Sequence, residues 1–170
     1  MQFQRITVMV LALTALTCSQ PTPPPDPGVE NIDLGIKLMS VPDGLAVAVN
    51  QGRNLELRPT GEGIVGVVRF AVGPEQRGVN LVAAVQKHKT HIEGLPDGAY
   101  KGAQELQGDF GTAFYSRGRY IDSGSSIEET VLFLIHPSGN RLLEIQYRYP
   151  AGDDSAARVE QLVGVLAELE

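Results

Sequence analysis

Residues 21–27 read PTPPPDP, five prolines in seven. Proline fixes φ and carries no amide proton, so such a run enters neither a helix interior nor a sheet ladder and takes the extended polyproline II form. The run therefore cuts the chain in two. Whatever folds must follow it, and residues 29–170 are expected to form one globular domain. The 170 residues less the first 28 leave 142. A domain of that size buries about two thirds of its unfolded surface and needs no disulfide staples.

Ahead of the prolines, Met1–Arg5 form a short segment with one positive charge, and residues 6–16 (ITVMVLALTAL) are an uncharged, mostly apolar run of eleven. That is too short to span ~30 Å of hydrocarbon but has the length of a signal-peptide core, so residues 1–17 are read as a signal peptide. Cys18, the single cysteine of the chain, follows at once. Ala15-Leu16-Thr17-Cys18 resembles the lipobox of bacterial lipoproteins, departing from the usual pattern at Ala15 and Thr17. The resemblance implies that Cys18 is acylated and becomes the first mature residue, which makes the membrane a partner through an N-terminal lipid. Ser19 in place of an Asp implies, by the same resemblance, the periplasmic face of an outer membrane in a two-membraned cell. Residues 18–28 are then the lipid-bearing cysteine and a tether, reaching up to ~30 Å at ~3.1 Å per residue. The alternative is an ordinary secretory cleavage site beside a chance cysteine, giving a secreted or periplasmic soluble protein.

Fourteen Lys and Arg against twenty Asp and Glu give a net charge of −6. Nucleic acid is not expected as a partner, because phosphate binding needs a basic face. One cysteine excludes an intramolecular disulfide and a thiolate metal cluster. No cofactor is expected.

Within the domain, hydrophobic periodicity separates strands from helices. Leu34–Met39, Leu45–Val49 and Leu55–Leu57 read as strands, the last two half-buried. Ile64–Val72 (IVGVVRFAV) is apolar at both parities and is expected to be a central strand covered on both faces. Over residues 80–93 the period changes: Leu81, Val85, His88 and Ile92 mark a helix that Asn80 caps and Gly94 and Pro96 end. Short Ala103–Gln107, then Phe110–Ile121, Ile127–His136 and Arg141–Tyr149, follow as strands joined by turns at 122–126 and 137–140. Asp153, Asp154 and Ser155 open a last helix with Val159, Leu162, Val163, Leu166 and Leu169 as its apolar stripe. Strands, a helix, hairpin-linked strands and a helix make an α+β domain, a mainly antiparallel sheet with helices packed on it. The meander ending EETVLFLIHPSGNRLLEIQYRYP and the closing RVEQLVGVLAELE resemble, in element order over 29–170, a PsbP-like α/β/α sandwich. The resemblance implies a non-enzymatic accessory or assembly protein and assigns no functional residue.

Candidate chemistry is sparse. His88 and His91, at i and i+3 on the first helix, could grip one metal, though no acid between them completes a metalloprotease motif; an edge-packed His88 and a solvated His91 is the preferred reading. Lys87 and Lys89 flank them, with Arg77 just before, and form the one compact basic patch. Tyr115, Arg117 and Arg119 share one strand face, with Tyr147 and Tyr149 on the same meander, and such residues are enriched in interface hot spots. If Ile121 pairs with Ile127 across the 122–126 turn, Arg119 lies opposite Glu129 and Arg117 opposite Val131, and a cross-strand Arg119–Glu129 pair results. Glu128 and Glu129 point to opposite faces and cannot share a substrate. His136 lies ~30 Å along the strand from Ser126, which removes a Ser–His pair, and no nucleophile elbow or phosphate loop is present. No catalytic residue is assigned. The expected function is a lipid-anchored cell-envelope accessory or binding protein with an envelope protein as partner; the alternative is a periplasmic small-ligand or metal binder, or an enzyme of unknown class.

Overall fold

The computed structural model describes residues 28–61, 65–152 and 155–170. The signal segment, Cys18, the proline run, Ile64, Asp153 and Asp154 lie outside the described residues. Nine strands and two helices appear among the described residues, in the order β1 (Val29–Asn31), β2 (Ile36–Leu38), β3 (Leu45–Gln51), β4 (Asn54–Pro59), β5 (Val67–Val72), α1 (Leu81–Glu93), β6 (Ala99–Gly108), β7 (Gly111–Asp122), β8 (Ser125–Ile135), β9 (Leu142–Pro150) and α2 (Ser155–Ala167). β1 and β2 form a two-stranded ribbon, and the other seven form one sheet in the order β3-β4-β5-β9-β8-β7-β6, antiparallel at every step.

The two faces of this sheet are covered unequally. On one, the ribbon and α2 pack Leu34, Ile36, Leu38, Leu162, Val165 and Leu166 onto the inward residues of β4, β5, β8 and β9, which is the main core. On the other, α1 covers β6, β7 and β8 only and closes a small cluster of Leu81, Ala84, Val85, Val131 and Phe133. The result is an α/β/α sandwich whose α1 face is open over β4, β5 and β9.

That asymmetry explains where the strand expectations fail. β5 lies beyond the reach of α1, so Val68, Phe70 and Val72 are buried while Arg69 and Ala71 are exposed, and the strand is not covered on both faces. The strand with two covered faces is β8, buried from Glu129 through Leu134. β3 is a sheet edge with a bulge between Val47 and Val49, and only Leu45 is buried. The strand expected at Leu34–Met39 is the short β2, which pairs with β1 and not with the main sheet. β6 runs the full ten residues from Ala99 to Gly108.

Both helices stand where the periodicity puts them. Asn80 caps α1, its side chain accepting from the Ala83 amide at 2.9 Å, and Gly94 ends it. The helix sits close to the sheet because residue 118 is glycine: a Cβ there would stand 2.6 Å from two side-chain carbons of Ile92. In α2 the buried stripe is Leu162, Val165 and Leu166, with Val165 in the place expected for Val163.

The β7–β8 register also differs from expectation. Asp122 pairs with Ser125, leaving a two-residue turn in which Ser123 and Gly124 both have positive φ, 50° and 83°. This is the primed turn whose twist matches a hairpin. Ile121 therefore faces Ser126, Arg119 faces Glu128 and Arg117 faces Thr130. A one-residue slip transfers every side chain of a strand to the other face, so the Arg119–Glu129 pair does not form.

Candidate functional site

With the true register, Glu129 lies opposite Gly118 on one side and Arg148 on the other, on the face beneath α1. Side chains from α1, β7 and β6 meet there. His88 is on the buried stripe of α1, Ser116 and Tyr120 flank Gly118 on β7, and Tyr100 comes from β6. The carboxylate imposes a direction on the hydrogen bonds. His88 Nε2 donates to Glu129 Oε1 at 3.1 Å, which leaves Nδ1 to accept from the Ser116 hydroxyl at 2.8 Å. Ser116 Oγ in turn receives the Tyr100 hydroxyl at 3.1 Å, and Tyr120 donates to Glu129 Oε2 at 2.9 Å. Arg148 completes the cluster, with Nε 3.6 Å from Glu129 Oε2, a terminal nitrogen 2.6 Å from Asp122, and its guanidinium 5.6 Å from the centre of the Tyr120 ring.

Burial by itself would raise the Glu129 pKa, but the bonds from His88 and Tyr120 outweigh it and hold the carboxyl below its usual range. Burial and the Glu129 charge push the Tyr120 phenol well above its ordinary value. Glu129 is thus an anion and Tyr120 a fixed donor.

Ser116, His88 and Glu129 have the composition of a nucleophile, base and acid set. Their geometry does not serve nucleophilic attack: Ser116 is 0% exposed, and its oxygen is enclosed by His88 and Tyr100. The relay is a buried polar network that joins α1 to the sheet. Sequence reasoning missed Ser116, Tyr120, Glu129 and Arg148 as one group because a two-residue turn looked like a longer one. The positive-φ tolerance of Ser123-Gly124 is the signal that would have found it.

Beside the network, between α1 and the uncovered strands, lies a cleft of about 400 Å³. Ala84, Val131 and Phe133 give it an apolar wall, and Arg69, Lys87 and Glu144 stand at its polar rim. His88 and Glu129 reach its floor.

The sequence-derived candidates divide between the two layers. Lys87 and His91 border the cleft, and His91 is exposed while His88 is engaged by Ser116 and Glu129. Lys89 lies 3.8 Å from Glu93 and 5.9 Å from the centre of the Tyr100 ring. Tyr115, Arg117 and Arg119 are on the opposite face of the sheet, in the cross-strand rows of Ile145, Tyr147 and Tyr149. Tyr115 donates to Gln104 at 3.0 Å, and Tyr147 and Tyr149 are buried. The basic helix patch and the Tyr/Arg strand face therefore do not form one surface. No group of three or more His, Cys, Asp or Glu placed to hold a metal occurs among the described residues. Cys18 lies outside the described residues.

A mainly antiparallel sheet with one helix on each face is an α+β fold, the architecture implied by the element order. No protein-family model matches the sequence, and no curated protein matches it. Among solved structures, the Ran-binding protein Mog1p of Saccharomyces cerevisiae superposes with a TM-score of 0.57 at 14% identity, over 84% of this chain and 93% of that one. A point variant of Mog1 gives 0.53 at 14% identity, over 84% and 94%. LpqN of Mycobacterium tuberculosis, described as involved in cell envelope biogenesis, gives 0.46 at 17% identity, over 76% and 78%. For the two Mog1 structures the likeness is one of fold.

Proposed function

We propose that this chain is a cell-envelope binding protein, tethered by a lipid on Cys18 and acting by holding a partner without chemistry of its own. The observation that carries the reading is the order of parts: an apolar run of eleven, the single cysteine, a proline spacer, then a folded domain beginning at Val29. A lipidated cysteine needs such a spacer to present a domain clear of the headgroups. The sealed Ser116 favours binding over catalysis, since no substrate reaches its oxygen.

Radiolabelled palmitate incorporation and cell fractionation test the anchor. Label in the membrane fraction, lost with Cys18→Ser along with membrane retention, is expected; an unlabelled mature chain refutes it. The partner is an envelope protein, and a photo-crosslinker at position 87 or at position 119 asks which layer it uses. A discrete adduct from position 87, beside the cleft, is expected, and adducts from neither position refute the reading.

A second reading, a periplasmic small-ligand binder, is favoured by the cleft itself, whose volume falls within the usual range for ligand pockets.

A further inference from the structure

The open face carries a second concavity, which adjoins the α1 cleft at Arg69, a residue that lines both. Its volume is about 400 Å³, and among the described residues its wall contains three arginines, Arg58 of β4, Arg69 of β5 and Arg148 of β9, and no carboxylate. These strands are neighbours in the sheet, and strand alternation puts the three side chains on one face. Arg148 lies directly across from Val67, and Arg69 stands two residues further along β5. Between the cations the surface is apolar, formed by Val65, Val67 and Ile127.

Three guanidiniums do not converge without a compensating charge, and here the compensation lies beneath the wall. Buried Glu56 receives Arg69 Nε at 2.9 Å and lies 3.6 Å from a terminal nitrogen of Arg58. Arg148 is held by Asp122, Glu129 and the Tyr120 ring. These partners fix the guanidinium planes and use only part of their donors. Each guanidinium has five N–H groups in a rigid fork, and the bond from Arg69 to Glu56 uses only its Nε. The outward donors match an oxyanion with several acceptor oxygens, and the apolar floor matches a carbon skeleton attached to it.

We infer that this pocket binds an organic phosphate monoester, its oxygens held by Arg58, Arg69 and Arg148 and its apolar part laid on Val65, Val67 and Ile127. The inference does not depend on the lipid anchor or on a protein partner, and it stands if both are refuted.

The test is isothermal titration of the full chain, purified in non-ionic detergent, with phenyl phosphate, inorganic phosphate and benzyl alcohol as separate probes. One-site saturation by phenyl phosphate is expected, weakened about tenfold or more in Arg58→Gln and in Arg69→Gln, because each removes charge-assisted bonds. Arg69→Lys, which keeps the charge and loses the fork, is expected to weaken binding as well. Lys87→Gln, a cation outside this pocket, is expected to leave it unchanged. Far-UV circular dichroism of both glutamine variants checks that they fold, which their exposed positions favour. Tighter binding of phenyl phosphate than of inorganic phosphate supports an ester; equal binding overturns it in favour of the free ion. No saturation by any anion up to about 10 mM, a limit of only some −3 kcal/mol of affinity, overturns the site. An equal loss in Lys87→Gln overturns it too, since general attraction to positive charge would then be the cause.

Discussion

Replacing Glu129 by glutamine preserves the shape of the side chain and removes its charge. In the wild type the two carboxylate oxygens accept from His88 at 3.1 Å and from Tyr120 at 2.9 Å, with the residue 2% exposed. Hydrogen bonds to a charged group contribute about 1.5–3 kcal/mol each. The carboxamide keeps one acceptor oxygen and turns an NH₂ group toward the other donor, so one of the two bonds is lost and its donor is left buried and unpaired. The expected loss is about 3 kcal/mol, with Arg148 still held by Asp122. At ~3 °C per kcal/mol for a domain of this size, Tm falls by about 10 °C. Urea unfolding followed by far-UV circular dichroism measures the loss without added salt. The gap has a defined pH dependence. Glu129 is held below its ordinary value of 4.5 in the folded state, so the unfolded chain takes up the proton first as pH falls. Its contribution is whole above that value and disappears as pH drops through the lower folded value. The difference between wild type and variant is therefore constant from neutrality to about pH 6 and narrows below about pH 4.5. A gap under ~1 kcal/mol at neutral pH, or one that persists unchanged into acid, would refute the assignment of Glu129 as the charged centre of the network.

Three other outcomes are expected. Gly118→Ala brings a Cβ within 2.6 Å of Ile92 and forces α1 away from the sheet, costing about 1–3 kcal/mol; unfolding of the Gly118→Ala/Ile92→Ala pair should recover part of the clash, and strict additivity would refute the contact. His136 is buried, donating from Nε2 to the Leu34 carbonyl and accepting the Ser138 amide at Nδ1, and burial holds its pKa below the ordinary value of 6.5. The unfolded chain binds that proton first, so wild-type stability falls as pH drops from about 7 to 5, and urea titrations of His136→Gln should lack this component of the slope. Leu162→Ala empties a fully buried position of α2 in the main core and costs about 2–5 kcal/mol; a loss below ~1 kcal/mol in thermal melts would mean that α2 is not docked as described.

Much of the architecture was determined by local chemistry. The change of hydrophobic period over residues 80–93, with Asn80 and Gly94 as caps, located α1 within a residue. Alternation in residues 142–150 placed Leu143, Ile145, Tyr147 and Tyr149 on one face, and all four are buried together. Strands joined by short turns made an antiparallel sheet the economical topology, and the helix at each end of the meander made the layers. These features depend on neighbours in sequence, which is why they were legible.

Other features depend on which surface meets which, and the tertiary structure alone decided them. An apolar run such as that of β5 and one such as that of β8 look alike in sequence, yet α1 reaches only the second, leaving Arg69 and Ala71 in the open. The candidate site turned on a single residue of register at Ser123-Gly124. That slip took Glu129 from Arg119 and gave it to His88 and Tyr120, residues 41 and 9 positions away. Pairing register is set by turn geometry and by burial of the whole strand, both non-local quantities. The three arginines came together for the same reason: they lie on strands that are adjacent in space, and β9 follows β5 in the sheet only after α1 and three other strands have been laid down in sequence.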